Sequence, residues 1–167
     1  MTKTDAIIAL GANRPSPVGS PRETLEDALR RLERTDGVKV AARSNFHTTA
    51  PVGGPPDQPA YTNAAAVLET SLEADELLAV LQGIEADLGR DRENEVRFGP
   101  RTCDLDLLLY GEEVIDDPPR LIVPHPRMHQ RRFVLAPLVE LAPAWRHPIL
   151  GKTVVELLAE LPGEGES

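Results

Sequence analysis

The segment RFGPRTCDLDLLLYG, residues 97–111, sets two aspartates one residue apart in an apolar run. Side chains alternate between the two faces of a strand. Cys103, Leu105, Leu107 and Leu109 are therefore expected on one face. Asp104 and Asp106 are expected on the other, followed by Leu108 and Tyr110. At roughly 3.3 Å of rise per residue, the two carboxylates start from Cα atoms about 6.6 Å apart. A solvated strand face is the bland reading of such a pair. The apolar flanks argue that the face is at least partly covered, and two close carboxylates raise each other's pKa unless a cation lies between them. Hard oxygen donors on neighbouring positions suit Mg²⁺, which keeps several waters and takes phosphate oxygens as further ligands. A buried acid pair for proton transfer is the other chemistry open to them.

Arginines surround this pair in the sequence. Arg90, Arg92, Arg97 and Arg101 precede it; Arg120, Arg127, Arg131 and Arg132 follow. Some must pair with Asp91, Glu93 and Glu95 at the surface. Cations flanking a candidate metal pair are also what phosphoryl-type transfer requires, since catalysis there is positioning plus charge neutralisation. No Gly-rich phosphate loop is present, and Gly11-Ala-Asn13 is too short to be one. His125 stands between two prolines in VPHP, a rigid presentation that could direct it at a phosphate. Tyr61, Asn63 and Phe133, taken singly, read as core or turn residues.

The elements that must position these groups follow from the pattern. Residues 6–10, AIIAL, form a buried strand. Ser20-Pro-Arg-Glu23 is a capping box with Pro at the first helical position, and Leu25, Ala28, Leu29 and Leu32 continue at helical spacing. Asp36-Gly37 ends that helix. A second strand is expected over 38–50. PVGGPPDQP, residues 51–59, is a loop, with four prolines and two glycines. Residues 63–70 form a third strand, Leu77, Leu81, Ile84 and Leu88 mark a second helix closed by Gly89, and 102–110 is the fourth strand. The order β-α-β-β-α-β is the ferredoxin-like arrangement, an α+β fold with an antiparallel sheet and both helices on one face. Helical and hairpin additions follow: a helix over 130–141 interrupted by Pro137, and a short one opened by the capping box of Thr153 and Glu156.

The 167 residues favour one domain, with a frayed tail over about 162–167. A net charge of −9 argues against nucleic-acid binding. Of the eighteen basic residues only three are lysine, and arginine is the side chain suited to bidentate phosphate contacts. One cysteine excludes a disulfide framework and a Cys-based zinc site. Without a membrane-length apolar run or a signal-peptide pattern, a cytoplasmic location and no membrane partner are expected.

GPRTCDLDLLLYG, LIVPHPRMHQRRFVLAPLVELAP and DQPAYTNAA together resemble the 6-hydroxymethyl-7,8-dihydropterin pyrophosphokinases of folate biosynthesis. The resemblance runs from IALGAN to the third helix. It implies transfer of a pyrophosphoryl group from the co-substrate ATP to the pterin hydroxymethyl oxygen, releasing AMP. A monomer is expected. By match to the motif, Asp104 and Asp106 would hold two Mg²⁺ ions. Arg90 and Arg101 would contact the phosphates, with Arg92 on a mobile loop. Gln82, Glu85, Phe98, Arg120, His125 and Arg131 would line the ATP site, and Thr49, Val52, Tyr61, Asn63 and Phe133 the pterin pocket. The segments 51–59 and 89–99 would close over the substrates. Phe98 stands where many members carry Trp, and Pro126 where others carry Tyr. Two other classes compete on the same residues: a two-metal nucleotidyl transferase or cyclase, and a non-catalytic ligand-binding regulatory domain.

Overall fold

The computed structural model describes residues 3–49, 59–90 and 102–162. Strand β1 (Thr4–Ala12) leads into helix α1 (Pro21–Glu33). The capping box forms as the sequence requires: the Glu23 N–H donates to Ser20 Oγ at 3.3 Å, and the Ser20 N–H to Glu23 Oε1 at 3.0 Å. Strand β2 (Val38–Arg43), the short β3 (His47–Thr49) and β4 (Tyr61–Thr70) follow, then α2 (Ala74–Asp87), β5 (Asp104–Tyr110), a small hairpin of β6 (Ile115–Asp117) and β7 (Leu121–Val123), a 3₁₀ turn (Met128–Gln130), α3 (Arg132–Val139) and α4 (Val154–Ala159).

The main sheet has the order β2-β4-β1-β5, with β3 added to the other end of β4; the pairings are antiparallel. Two apolar clusters lie on its two faces. Ala6, Ile8, Leu10, Ala64, Ala66 and Leu68 pack against α1 and α2 through Leu25, Leu32, Leu77 and Leu81. Ile7, Ala65, Leu108 and Leu109 pack against α3 and α4 through Leu135, Leu138 and Leu157. The ferredoxin-like α+β expectation holds, and the C-terminal additions cover part of the face that the first two helices leave open.

Three expectations need correction. The strand expected over 38–50 is broken at Ser44–Phe46, where Ser44 Oγ accepts the Ala65 N–H and donates to the Asn45 carbonyl, so the chain turns out of β2 before re-entering as β3. The helix expected over 130–141 is instead a separate 3₁₀ turn (Met128–Gln130) followed, after an extended Arg131, by α3 from Arg132 to Val139. The alternation of β5 does not run through to Leu109. Ile8 pairs with Leu107 and Ile7 with Leu109, so Leu108 is an inserted residue, a β-bulge. The slip sends Leu109 to the α3 face and Tyr110 to the α1/α2 face.

Candidate active site

The site grows from two rows of residues across the sheet. Gly11 on β1 is flanked by Asn63 on β4 and by Asp104 on β5. One step along, Ala9 is flanked by Ala65 and Asp106. All of these positions share the parity of Ile7 and Ala65, the α3 side of the sheet. Two strand spacings put Asn63 and Asp104 roughly 10 Å apart, and the residues between them are small. A Cβ at Gly11 would lie 3.2 Å from Asn63 Oδ1. The floor is therefore flat because β1 reads Ala-Leu-Gly there. Phe133 and Val134 at the start of α3 form the wall of this shallow pocket.

On the acceptor side, Asn63 is 5% exposed and donates its Nδ2 hydrogen to Thr49 Oγ1 at 2.6 Å. That bond fixes the amide so that Oδ1 lies over Gly11. Tyr61 pairs with Thr49 across β3 and β4 and is half-buried. Asn13, buried just beyond β1, donates to the Pro59 carbonyl at 3.1 Å and so anchors the chain where it re-enters β4.

On the charged side, Arg90 follows directly from the end of α2, where Gly89 adopts a left-handed backbone at φ +93°. The Arg90 Nη1 donates to Glu85 Oε2 at 2.6 Å and to Asp104 Oδ1 at 2.9 Å. The Leu105 N–H, between the two aspartates, donates to the same Glu85 oxygen at 2.7 Å. Glu85 is 1% exposed, so it is an internal counter-charge that ties α2, Arg90 and the aspartate strand together. Desolvated carboxylates need such partners. Burial, then Asp104, then Glu85 push the Asp106 carboxyl well above the ordinary range, and Arg90 and Arg131 offset this only in part.

His125 is held by its own N–H donating to the Leu108 carbonyl at 2.9 Å, and its Nδ1 accepts the Arg127 N–H at 3.2 Å. Burial, then the charge of Arg131, lower its pKa to about 4. It is thus neutral at physiological pH and carries its proton on Nε2. Arg131 lies over the Phe133 ring, its Cζ 5.5 Å from the centroid. Burial lowers its pKa as well, while Asp106 pulls the other way.

The structure brings together Asp104, Asp106, Arg90, Glu85, Asn63, Thr49 and Phe133, with Arg131 and His125 close enough to feel the aspartates' charge. Gln82 is exposed on α2. Arg120 is held apart, bridging Asp75 at 2.9 Å and Asp117 at 2.6 Å. Asp75 is at the α2 end opposite Glu85, about 15 Å along the helix. Val52, Arg92, Phe98 and Arg101, with most of both expected closing segments, lie outside the described residues. Sequence reasoning missed Gly11 and Ala9 as the floor and Asn13 as an anchor; small residues at alternate positions of a buried strand were the available signal. Among the described residues, no group of three or more His, Cys, Asp or Glu side chains is arranged to hold a metal, and no helix is long and apolar enough to cross a membrane.

An antiparallel sheet in an α+β fold that presents two aspartates, an arginine and a small-residue floor is a site suited to phosphoryl-transfer chemistry. Comparison with known proteins makes this particular. Residues 7–143 match the family model of 7,8-dihydro-6-hydroxymethylpterin-pyrophosphokinase (HPPK). The chain is 46% identical over 158 residues to the 2-amino-4-hydroxy-6-hydroxymethyldihydropteridine pyrophosphokinase of Pseudomonas aeruginosa, covering 95% of this chain and 92% of that protein. It is 47% identical over 136 residues to the Bacillus subtilis protein of the same name, covering 81% and 77%. The crystal structure of a Plasmodium falciparum HPPK-DHPS triple mutant with STZ-DHP superposes with a TM-score of 0.72 at 15% identity, over 95% of this chain. This chain spans only 43% of that one, and the likeness speaks to the fold. The chain belongs to the 7,8-dihydro-6-hydroxymethylpterin-pyrophosphokinase family.

Proposed function

We propose that the protein transfers the terminal pyrophosphoryl group of ATP to the hydroxymethyl oxygen of 6-hydroxymethyl-7,8-dihydropterin. The alcohol oxygen forms a bond to the β-phosphorus, the bond between that phosphorus and the α,β-bridging oxygen breaks, AMP leaves with that oxygen, and the hydroxyl proton passes to solvent. The observation that carries this is the shared face of Asn63, Gly11 and Asp104, which sets an acceptor-reading amide and an anionic cation site across one flat floor.

Asn63 Oδ1, oriented by Thr49, can accept from the ring N–H and amino donors of a pterin. Phe133 and Tyr61 offer aromatic surface for the ring. Arg131 and the Nε2–H of His125 can donate to phosphate oxygens, and a neutral histidine does so without competing for the metal's charge. Asp104 and Asp106 fit Mg²⁺: they are adjacent hard oxygen donors, and burial, then Asp104 and Glu85 nearby, raise the Asp106 pKa, a penalty on its charged form that a bound cation would relieve. They would hold the two ions the family resemblance implies, which when bound neutralise phosphate charge and make the alcohol a better nucleophile. Arg90, pinned by Glu85, keeps Asp104 oriented, and Arg101 is a further phosphate contact by motif. A monomer is the state expected under this reading.

Incubation with ATP, Mg²⁺ and the reduced pterin, with the nucleotide products identified, tests it. AMP together with a pterin diphosphate is expected. Inorganic pyrophosphate would instead mark a nucleotidyl transferase, and absence of turnover a binding domain.

A further inference from the structure

β3 is three residues long, yet it carries Thr49, which holds Asn63. Its entry is gripped from the opposite side of the pocket. Glu140, the C-cap residue of α3, spreads its carboxylate over the corner that feeds β3. Oε1 accepts the Asn45 N–H at 2.9 Å, and Oε2 is bonded to His47 Nε2. The two side chains are 29% and 31% exposed, so the contact is partly shielded from solvent. Burial pushes the Glu140 carboxyl up, but the Asn45 and His47 hydrogen bonds outweigh this and hold it below the ordinary range.

The other end of α3 carries Phe133, about 10 Å from Glu140 along the helix axis. Helix α3 packs on the sheet and on α4 through Leu135 and Leu138, and apolar contacts are non-directional. A carboxylate bonded to two donors is directional. The contacts form a closed circuit: Phe133 along α3 to Glu140, across to His47, along β3 to Thr49, and across to Asn63, which faces Phe133 in the pocket. Within this circuit the hydrogen bonds of Glu140 are the directional contacts that tie α3 to the corner feeding β3, remote from the chemistry.

We infer that Glu140 and His47 are positioning residues that set the gap between Asn63 and Phe133, and with it affinity for the acceptor ring. The inference rests on the pocket being the pterin site.

Steady-state kinetics with pterin and ATP varied separately tests it. Glu140→Ala is expected to raise KM for the pterin about tenfold while KM for ATP stays within about twofold, since a small misplacement at a distance costs binding geometry. Glu140→Gln keeps one acceptor oxygen and should recover most of the loss. His47→Ala should raise pterin KM about threefold, and the double variant should be no worse than Glu140→Ala alone. An equal rise in both KM values, or unchanged values in folded Glu140→Ala, overturns the inference. Should Glu140→Ala not fold, the same split in His47→Ala decides. A readout without turnover separates this from the functional reading. The ¹⁵N NMR signals of the Asn63 side-chain amide in the free protein should shift in Glu140→Ala and stay in place in Glu156→Ala. If the wild type fails to use the pterin, the functional reading falls, and unmoved Asn63 signals would overturn the clamp independently.

Discussion

The two faces of the sheet are built to different plans. One is covered by α1 and α2, helices of 13 and 14 residues. At 1.5 Å per residue each spans about 20 Å. The other is covered by α3 and α4, of 8 and 6 residues, which reach only about 12 and 9 Å. Strand β4, with 10 residues, runs about 33 Å. Short helices cannot cover it, and the end of that face that α3 and α4 do not reach is where Gly11, Asn63, Asp104 and Asp106 lie. The long helices supply a scaffold that can stay rigid; the short ones leave an opening and set its shape.

The sharpest way to break this contrast is at the open end. Asp106→Asn should lower kcat/KM by about a thousandfold or more, the scale of losing about 4 kcal/mol of transition-state stabilisation. The folded protein should be as stable as the wild type or more so, because a buried carboxylate that also faces Asp104 and Glu85 is removed. Kinetics at limiting Mg²⁺ and thermal unfolding check both halves; wild-type turnover would remove Asp106 from the reaction. Asp104→Asn should lose similar activity but also forfeits the ionic contact of Arg90.

Next come the two packed layers. Leu81 and Leu138 are each fully buried, one on each face. Replacing either by Ala should cost about 3 kcal/mol in urea unfolding. They should differ in function: Leu138→Ala loosens the helix that carries Phe133 and should raise pterin KM several-fold, whereas Leu81→Ala should leave it unchanged. Equal KM effects would mean that the faces are not functionally distinct.

A smaller effect concerns acid. His125 has a folded pKa of about 4, below the free value of about 6.5. Between those values the unfolded chain takes up a proton that the folded one refuses, so the stability associated with the neutral imidazole is full above about pH 7 and falls as pH drops towards 4. The loss should be about 2 kcal/mol by pH 4.5. His125→Gln should flatten that part of the stability–pH curve, and an unchanged slope would assign the acid sensitivity elsewhere.

The smallest expected signal is at Cys103. It is fully buried against α1 and α2, and burial, with Glu85 and Asp104 nearby, pushes its thiol pKa up. Native protein should react negligibly with a thiol reagent over minutes. Fast labelling would mean that the strand presents its other side.

Much of this was legible in the sequence because local rules and tertiary needs agree. Ser20 with Glu23 and Thr153 with Glu156 announce helix starts through bonds within four residues, and both form. The parity of Asp104 and Asp106 against Cys103 and Leu105 follows from strand geometry alone. What stayed hidden depends on partners distant in sequence. The bulge at Leu108 is set by how β5 meets β1, so strand alternation alone places Leu109 on the wrong side. The burial of Glu85 depends on α2 lying against Leu105, and the grip of Glu140 on His47 spans 93 positions of the chain.

Among the described residues strand β5 ends the sheet, and its DLDLLLY carries four leucines and a tyrosine in seven residues. A terminal strand of that composition is a template for another chain to add to, the usual start of aggregation. Here the outward Leu105 N–H is already taken by Glu85, and the Leu108 carbonyl by the His125 N–H. The carboxylate that orients the arginine therefore also blocks an intruding strand at the position between the two aspartates. Losing Glu85 would cost solubility as well as alignment, a liability that catalytic assays on dilute protein would never register.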